Sequence, residues 1–500
     1  MKITSTDRYL DLLLKSLSET IEPELQSSNA KASLGMIKGV LGELLKREHV
    51  TGGLLREVIR EGLDLQDTLT DALHIPAPTG DVSRNAIETA IRNDDTSLEA
   101  LLRQYEILCS NLDELSSRLD QSDLPQEQTA ALLKRLAEWE LSYYEREAQL
   151  TVPALPHIDN PKQPLDKRLL QDFLNSLPGS SGSVEVSRLE PLPGGFGKQT
   201  YFASYLRQPG AEPSELVVRK TDPAPIMSHG ACDLESEYAL LKTLARTDYP
   251  APKPQDFAKG FKNLDADFYT MDRIAGSTPG TFLGGLSGEV EEDLFMQLAE
   301  RLGQLHALPL EMFADYIEQY EDPRILSGSV EDCYRYNLEG WYRYMAREDH
   351  LPSPYMRWLL HWLSHNIPKD ARKPILVHGD FNIHNILFDQ GKLTAVLDWE
   401  CSGFGAPEQD LAYIKPHISQ HIEWDRFVNH YLAHGGLEVN PAAMAFGFVY
   451  SALRTNLAGN RGTSNMQSGR NQDLRYTMVE LGFTRSFMDM ALTSAYATSK

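Results

Sequence analysis

The sequence predicts an α+β protein in three parts: an all-α helical bundle, a small β-rich lobe and a larger helical lobe. Three observations indicate this. Apolar residues recur at intervals of three and four through about the first 150 positions, short apolar strand-like runs follow, and helical spacing returns from about Gly276. Because 500 residues are too many for one hydrophobic core, two or three domains are expected.

Residues 1–150 are predicted to form the helical bundle. One stretch carries a continuous apolar face on Leu98, Leu101, Leu102, Tyr105, Leu108, Leu112, Leu115 and Leu119. Similar faces occur over residues 9–25, 30–45, 54–73 and 130–144. No cluster of catalytic residue types occurs here, so a scaffold, an oligomerisation surface and a partner-docking module all remain open as roles.

A proline-rich stretch separates the bundle from the rest of the chain. The sequence VPALPHIDNPKQPLDK holds four prolines, which favours a linker over residues 151–167. The β-rich lobe is predicted over residues 168–275, with strands near 184–186, 201–205, 216–220 and 268–274. The helical lobe is predicted over residues 276–500.

Composition narrows the class of protein. The formal net charge of −23 argues against non-specific nucleic-acid binding, which needs a basic face. No stretch approaches the roughly 18 uninterrupted apolar residues of a membrane span, and the N-terminus lacks a signal-peptide cleavage pattern. Four widely spaced cysteines, with no C-x-x-C pair, favour a reducing cytoplasm over a disulfide framework.

Polar residues interrupt two apolar runs in the helical lobe. HGDFNIHN lies between the runs ILV and ILF, and it places Asn385 five residues after Asp380. LTAVLDWE then places Asp398 thirteen residues after Asn385. Phosphoryl transfer to an alcohol needs a carboxylate near the hydroxyl and oxygen ligands for magnesium, in this order along the chain. The pattern therefore predicts Asp380 as the catalytic residue and Asn385 with Asp398 as metal ligands.

The two segments HGDFNIHNILF and VLDWECSGFGAPEQDLA resemble the aminoglycoside phosphotransferase and choline-kinase-like branch of the protein-kinase fold. The resemblance implies a two-lobed, protein-kinase-like fold that uses ATP and Mg²⁺. It also implies that Asp380 orients or deprotonates an acceptor hydroxyl. Asp410, in EQDLA, matches a further family aspartate, and we expect it to support the catalytic loop through buried hydrogen bonds.

A glycine-rich hairpin precedes the second predicted strand. In PLPGGFGKQTY, Gly194, Gly195 and Gly197 would let backbone N–H groups approach phosphates. A Walker A loop is excluded, because Leu192 replaces its first glycine and Gln199 follows the lysine. Lys198 either contacts phosphate or points to solvent.

The strand LVVRK carries two adjacent cations, Arg219 and Lys220. Strand alternation places them on opposite faces, so only one can point into a nucleotide cleft. The resemblance favours Arg219, and Lys220 is the alternative; a solvated basic pair is the interpretation without function. In the following helix Glu237 shares the apolar face of Leu234 and Leu241, so its carboxylate needs a buried cationic partner.

The segment FYTMDRIAGSTPG is predicted to connect the two lobes. In the fold that the chain resembles, adenine hydrogen-bonds backbone groups of this connector, here near Asp272 to Ile274. Met271 or Tyr269 could line the adenine pocket, and packing in the core is an equally good interpretation for either.

The acceptor is expected to bind in the helical lobe. Arg454 and Arg461 are the cations that could meet an anionic acceptor, and residues 456–472 (NLAGNRGTSNMQSGRNQ) read as a polar surface loop or a lid. The RK strand, FY-M connector and DWE motif resemble the kinase-like domains that accompany acyl-CoA dehydrogenases, which implies a hydroxyacyl-CoA or hydroxy-acid acceptor.

Other functions remain open at this stage. Aminoglycosides and amino alcohols are the alternative acceptors. A non-catalytic nucleotide-binding sensor is the rival from another class, and a protein kinase is disfavoured because HGD replaces HRD and no A-P-E segment follows. The expected partners are a small-molecule hydroxyl acceptor and, through residues 1–150, a second copy or another protein, with no nucleic acid and no membrane.

Overall fold

The computed structural model describes residues 5–26, 28–92, 97–119, 122–149, 162–180, 182–192, 197–280, 291–347, 350–351, 353–471, 476 and 484–497. The chain divides into two compact units. One is Ile3–Pro156, and the other is His157–Lys500 with Met1–Lys2.

The first unit is helical. Its α-helices are α1 (Thr6–Ser16), α2 (Ser28–Lys46), α3 (Gly52–Ala72), α4 (Arg84–Arg92), α5 (Leu98–Leu119) and α6 (Gln126–Gln149). Helix α3 lies at the centre of the core, where Leu55, Val58 and Leu63 are fully buried. A Cβ atom at Gly62 would lie 2.6 Å from the Trp139 ring, so only glycine lets α6 approach α3 this closely. The predicted all-α bundle is confirmed; the short helix α4 was not predicted.

The second unit begins with α7 (Lys167–Ser176) and a five-stranded antiparallel sheet. Its strands are β1 (Glu185–Pro191), β2 (Lys198–Leu206), β3 (Ser214–Thr221), β4 (Pro254–Ala258) and β5 (Phe268–Asp272), in the spatial order β1-β2-β3-β5-β4. Helix α8 (Leu234–Leu244) follows β3 and begins at Asp233, whose carboxylate caps it. Apart from β4, which was not predicted, the strands occur where alternating apolar residues indicated them.

The helical lobe completes this unit. Its helices are α9 (Glu292–His306), α10 (Ala314–Tyr320), α11 (Val330–Arg347), α12 (Pro354–His365), α13 (Glu408–Ile418), α14 (Trp424–Ala433), α15 (Met444–Gln467) and α16 (Arg485–Ala497). Four short strands lie between α12 and α13: β6 (Ile375–Val377), β7 (Ile386–Asp389), β8 (Lys392–Val396) and β9 (Gly403–Gly405). The predicted α+β class, with a small sheet-rich lobe and a larger helical lobe, is confirmed. Within the described ranges, no helix is both long and apolar enough to cross a bilayer.

The prediction of a loop over residues 456–472 is wrong for most of its length. Helix α15 continues to Gln467, and its Gly and Asn residues are largely buried. A Cβ atom at Gly447 would lie 2.6 Å from the Glu408 carbonyl oxygen, and one at Gly462 would lie 3.1 Å from the Tyr476 ring. The small residues therefore allow close packing of α15 against its neighbours and do not form a turn.

Candidate active site

The polar sequence HGDFNIHN connects two short strands. Strand β6 pairs with β9, and β7 pairs with β8, so the loop between β6 and β7 lies where both strand pairs end. Gly379 has a φ of +79°, and a Cβ atom there would lie 2.0 Å from the Cys401 carbonyl oxygen, so the turn requires glycine. The Asn385 side-chain amide donates to Asp380 Oδ2 at 2.7 Å and to the Asp380 carbonyl at 2.9 Å. This fixes the distance between the predicted catalytic carboxylate and one predicted metal ligand.

Asp398 lies two residues after the end of β8 and lines the same cavity as Asp380 and Asn385. The register Ile386↔Val396 and a hydrogen bond from Leu397 N to the Asn385 carbonyl at 2.7 Å bring the two predicted metal ligands together. Asp398 has a φ of 62°, in the left-handed region that a non-glycine residue rarely adopts. Such backbone strain is concentrated at functional sites.

Arg219, on β3, points toward Asp398 across the cleft. Its Nη2 lies 2.5 Å from Asp398 Oδ1, and its Nε lies 3.5 Å from Glu237 Oε1. Glu237, on α8, is 2% exposed and also accepts from the Tyr269 hydroxyl at 3.1 Å. Helix periodicity predicted a cationic partner for Glu237, and of the two candidates on β3 the structure pairs it with Arg219.

Lys220 lies on the opposite face of β3. It is fully buried, and its Nζ lies 2.9 Å from Asp265 Oδ1 and 3.0 Å from Gln199 Oε1. The alternation of side chains along a strand accounts for this, because neighbouring residues face opposite sides of the sheet. Lys220 is therefore not among the groups that meet at the cleft, and Arg219 is.

Lys198 does not point to solvent, which corrects one of its two predicted positions. Its Nζ is buried 2.9 Å from Glu400 Oε2 and 3.4 Å from Glu237 Oε2, and it donates to the Cys232 carbonyl at 2.8 Å. Glu400, which was not predicted as a site residue, thus connects the end of the glycine-rich hairpin to the segment that carries Asp398. Its position two residues after Asp398, in DWE, was the available signal.

Three carboxylates and two cations share this buried region. Burial and the neighbouring carboxylates Glu400 and Glu237 raise the pKa of Asp398 to about 6, although Arg219 opposes the change. Burial also penalises the charged form of Glu400, but Lys198 and Arg219 outweigh it and lower the pKa of that carboxyl. The region therefore has one more carboxylate than cation, and the pKa that rises in response is that of Asp398.

Asp380 is in a different electrostatic environment. Burial raises the pKa of its carboxyl, but His384 and Tyr413 outweigh burial, and the net pKa lies below the ordinary value. The distance from His384 Nε2 to Asp380 Oδ2 is 3.6 Å. Asp380 is therefore ionised at neutral pH and can accept a proton or a hydrogen bond from a hydroxyl group.

Asp410 supports the loop from behind, as expected. Its carboxylate accepts from His378 N at 2.8 Å and from Gly379 N at 2.7 Å. His306, on α9, lies 3.1 Å from the same carboxylate through Nε2, and its Nδ1 lies 2.9 Å from the Tyr431 hydroxyl. His306 was not predicted; the signal was its four-residue spacing from Leu302, which places a polar residue on the apolar face of α9.

The described residues include the connector and, from the glycine-rich hairpin, Gly197. Gly194 and Gly195 lie outside the described residues. A Cβ atom at Gly197 would lie 3.4 Å from Glu400 Oε2, so the hairpin approaches the charge cluster closely. In the connector, Asp272 is exposed and accepts from Gln255 at 2.6 Å. Met271 and Ile274 are half-buried.

A cavity of about 410 Å³ opens beside these groups. Asp380, Asn385, Asp398, Glu400 and Lys198 contribute to its wall. Met271, Asp272 and Ile274 of the connector do not line this cavity. Further wall residues lie between β3 and α8, just after residue 276, on α13, on α15 and beyond its end: Ile226, Met227, Thr278, Gly280, Tyr413, Ser451, Arg454, Thr455 and Tyr476.

Arg454, on α15, brings a cation to this cavity with two of its donor nitrogens unused. Its Nη2 donates to the Ser402 carbonyl at 3.1 Å, while Nε and Nη1 are buried without a hydrogen-bond partner among the described residues. A Cβ atom at Gly379 or at Gly403 would lie 3.0 Å from the guanidinium, so two glycines make room for it. A buried donor without a partner costs about 1–3 kcal/mol. Such a cost is consistent with a ligand acceptor group at this position.

The donor set fits a hard divalent cation. Asp398 offers a carboxylate oxygen, and Asn385 offers the carbonyl oxygen of its carboxamide, because its nitrogen donates to Asp380. The excess negative charge of the region favours a cation there. Arg219 and Lys198 lie next to this position, where they are paired with Asp398 and Glu400. To bind phosphate oxygens, each cation must give up its carboxylate contact.

Sequence comparisons agree with the geometry. The model of the phosphotransferase enzyme family matches residues 188–446, more than half of the chain. Acyl-CoA dehydrogenase family member 11 of Rattus norvegicus is 30% identical over 271 residues, which are 53% of this chain and 32% of the relative. Acyl-CoA dehydrogenase family member 10 of Mus musculus is 27% identical over 249 residues, 49% of this chain and 21% of the relative. The chain spans about a third or less of the length of these curated relatives.

Solved structures give a weaker similarity. The macrolide 2'-phosphotransferase MphH from Brachybacterium faecium aligns with 63% of this chain and 98% of its own, with a TM-score of 0.39 and 16% identity.

Proposed function

The chain belongs to the phosphotransferase enzyme family, and from that premise we propose that it transfers the γ-phosphoryl group of ATP to a hydroxyl group of a small molecule. One observation carries the proposal: Asp380, Asn385 and Asp398 meet at one cavity beside the Arg219–Glu237 ion pair. Each group has the chemistry that phosphoryl transfer to an alcohol requires.

Asp380 is the residue that we propose to contact the acceptor hydroxyl. Its carboxylate is held by Asn385 on one side and lies near His384 on the other, and its lowered pKa keeps it ionised. It orients the hydroxyl and receives its proton late in the transfer, because the transition state is largely dissociative and needs little prior deprotonation. Removal of this charge leaves the acceptor unoriented.

The proposal that the protein binds Mg²⁺ and ATP rests on two features of the cavity. The first is the pair of oxygen ligands for a metal ion, and the second is the pair of cations beside them. Mg²⁺, when bound with ATP, would be held by Asn385 and Asp398 and would neutralise phosphate charge. Arg219 is the residue proposed to bind the phosphates, with Glu237 holding its guanidinium in position. Lys198 is proposed to approach the phosphates from the glycine-rich hairpin, together with Gly194, Gly195 and Gly197. The connector Met271, Asp272 and Ile274 is proposed to bind adenine.

The reaction is tested by turnover. The Asp380→Asn variant keeps the side-chain volume and removes the charge, and we expect acceptor-dependent ADP release to fall by about 100- to 1000-fold. Circular dichroism and the thermal midpoint verify that the variant is folded. A variant with the charge restored, Asp380→Glu, should recover little activity because the longer side chain displaces the carboxylate. Full turnover in Asp380→Asn would remove the assignment.

For the acceptor, we favour a hydroxy acid or a hydroxyacyl-CoA over aminoglycosides and amino alcohols. Arg454 supports this choice, since its two free donors match a carboxylate or carbonyl oxygen and repel an ammonium group. The nearby wall residues Ile226 and Met227 are apolar and suit an acyl chain. The partial match to relatives named as acyl-CoA dehydrogenases is consistent with an acyl acceptor.

A substrate panel tests the acceptor class. Medium-chain hydroxy acids, their CoA thioesters, kanamycin and choline are compared for ADP release by wild type and by Arg454→Gln. We expect the variant to raise KM for acyl acceptors at least about tenfold without changing KM for ATP. Arg335→Gln, which changes an exposed ion-paired arginine on α11, is the matched control. Turnover of kanamycin or choline alone would overturn the acyl assignment.

We assign no catalytic role to residues 1–150 and propose that they mediate self-association or bind another protein. The Ile3–Pro156 unit has its own buried core, and its sequence carries no cluster of catalytic residue types. Deletion of residues 1–156 should leave kcat within about twofold if the proposal is right. Light scattering of both forms measures any change in assembly. A cytoplasmic location is part of the proposal, in keeping with four free cysteines.

A further inference from the structure

Helices α9 and α14 pack unusually closely away from the cavity. A Cβ atom at Gly303 of α9 would lie 2.5 Å from the Tyr431 carbonyl oxygen and 3.0 Å from the His434 carbonyl oxygen. A Cβ atom at Gly435 would lie 2.9 Å from Ala307 Cβ, and its φ of +96° also favours glycine. Glycine at these positions therefore brings the C-terminal end of α14 onto the surface of α9.

This approach places three metal-binding side chains together. Glu300 lies one turn before Gly303 on α9, while His430 and His434 lie one turn apart at the end of α14. One potential ligand atom from each residue lies within 4.8 Å of the other two. All three side chains are half-buried, and that of Glu300 is 28% exposed. A bound ion would thus be partly shielded and still accessible from solvent.

Hydrogen bonds orient these groups. His434 Nδ1 lies 2.8 Å from the His430 carbonyl oxygen, which can only accept, so Nδ1 carries the proton and the Nε2 lone pair remains for a metal. Both contacts of the Glu300 carboxylate use Oε1: Gln304 Nε2 at 3.0 Å and Arg301 Nη1 at 3.4 Å. The other carboxylate oxygen, Oε2, has no hydrogen bond among the described residues. The arginine weakens the attraction for a cation without occupying that oxygen.

We propose that Glu300, His430 and His434 form a binding site for a borderline divalent transition-metal ion such as Zn²⁺, separate from the Mg²⁺ of the cleft. Two imidazoles and one carboxylate suit zinc, which takes nitrogen and oxygen ligands in tetrahedral geometry with water at an open position. Ligand bonds of about 2.1 Å place ligand atoms about 3.4 Å apart, so small side-chain rotations complete the site. Magnesium prefers oxygen ligands and binds such a site poorly.

The site lies next to the support of the catalytic loop. Tyr431, between the two histidines on α14, lies 2.9 Å from His306, which in turn contacts Asp410 at 3.1 Å. Asp410 holds the backbone N–H groups of His378 and Gly379. An ion that joins α9 to α14 would therefore fix the outer end of this chain of contacts, and it would stabilise the folded protein by binding only to that state.

A second pair of histidines, on α12, provides a matched control for the proposed metal site. His361 and His365 on α12 are also four residues apart, with ring centroids separated by 4.0 Å and His365 Nδ1 2.8 Å from the His361 carbonyl oxygen. Among the residues that the structure describes, only Glu300, His430 and His434 form a group of three or more potential ligands. The α12 pair thus reproduces the local histidine geometry without a carboxylate from a second helix.

The test uses the full chain without a histidine tag, treated with chelator and then titrated with Zn²⁺ by calorimetry in excess Mg²⁺ and ADP, which occupy the cleft. We expect one tight site in wild type and in His361→Ala/His365→Ala. In His430→Ala/His434→Ala and in the conservative Glu300→Gln, affinity should fall at least about 100-fold for the pair and about tenfold or more for the single change. Zn²⁺ should raise the thermal midpoint only where the site is intact.

Co²⁺ absorption provides a second measurement. A tetrahedral site with nitrogen and oxygen ligands gives intense visible bands that are lost in the α14 variant, and this spectrum does not depend on turnover. Three results would overturn the proposal: no tight site in wild type, equal loss of affinity in the α12 control, or unchanged affinity in both site variants. If His430→Ala/His434→Ala fails to fold, the Zn²⁺ affinity of Glu300→Gln decides alone: a loss supports the proposal and an unchanged affinity overturns it.

Discussion

Two aspartates beside the loop that carries Asp380, Asp410 (fully buried) and Asp398 (27% exposed), are held in contrasting ways. Asp410 accepts hydrogen bonds from His378 N and Gly379 N and contacts His306, and its pKa is lowered because these donors outweigh the cost of burial. Asp398 is held by Arg219 within a cluster that has more carboxylates than cations, and its pKa rises to about 6. The first carboxylate has all its partners within the protein, while the charge of the second is only partly compensated by Arg219.

This contrast indicates a structural role for Asp410 and is consistent with a ligand-binding role for Asp398. A fully bonded Asp410 fixes the backbone of the loop that carries Asp380. Under the proposed function, an under-compensated Asp398 would gain a further partner when a cation binds, and perturbed carboxyl groups of this kind are concentrated at functional sites. The comparison predicts opposite consequences for the same Asp→Asn substitution at the two positions.

The largest expected effect is on activity at Asp398. The Asp398→Asn variant should lose about 100- to 1000-fold in kcat, because a neutral amide is a weaker magnesium ligand. Its free energy of unfolding should not fall at neutral pH, because Glu237 and Glu400 still balance Arg219 and Lys198 while the excess negative charge is removed. Initial rates of ADP release and urea unfolding measure the two quantities. Strong destabilisation with retained activity would reverse the comparison.

The next effect is on stability at Asp410. In Asp410→Asn the amide can accept from one backbone N–H but places its own N–H₂ against another donor, so we expect a loss of about 3 kcal/mol in the free energy of unfolding. Activity should fall as well, since the loop is no longer held. Urea unfolding at pH 7 provides the measurement, and His306→Gln is a milder companion variant. An unchanged unfolding midpoint would show that the three contacts add nothing.

The smallest effect is a difference in pH dependence. The folded pKa of Asp398, about 6, lies above the ordinary value of 3.8, so its favourable contribution is complete below pH 3.8 and is lost as the pH rises through about 6. Asp410 has a lowered pKa, so its contribution is present above the ordinary value and is lost as the pH falls through the folded pKa. Between pH 4 and 6, Asp398→Asn should therefore gain roughly 2 kcal/mol relative to wild type. Urea unfolding of wild type, Asp398→Asn and Asp410→Asn across this pH range measures the difference. The assignment would be contradicted if the stability of the two variants relative to wild type changed with pH in the same direction.

Local patterns were enough to predict much of this arrangement. The order and spacing of Asp380, Asn385 and Asp398, on segments next to short apolar strands, indicated a common site, and strand alternation separated Arg219 from Lys220. Helix periodicity placed Glu237 inward beside a cation. These inferences depend on residues close in sequence, where the geometry of a strand or helix fixes which side chains share a face.

Contacts between distant segments could not be predicted in the same way. Lys198 and Glu400 are 202 positions apart, and their ion pair exists only because the hairpin folds over the segment after β8. Residues 456–467 have a turn-like composition, yet tertiary packing of α15 makes them helical. The grouping of Glu300 with His430 and His434 likewise depends on how closely two helices approach.

The most direct test of the account is nucleotide-dependent metal binding at Asp398. Mn²⁺ replaces Mg²⁺ and is followed by electron paramagnetic resonance, with the bound ion counted in the presence and absence of ADP. The account predicts one ADP-dependent ion in wild type and in Asp410→Asn protein that remains folded, and none in Asp398→Asn at the same concentrations. An ADP-dependent ion bound with wild-type affinity by Asp398→Asn would contradict it.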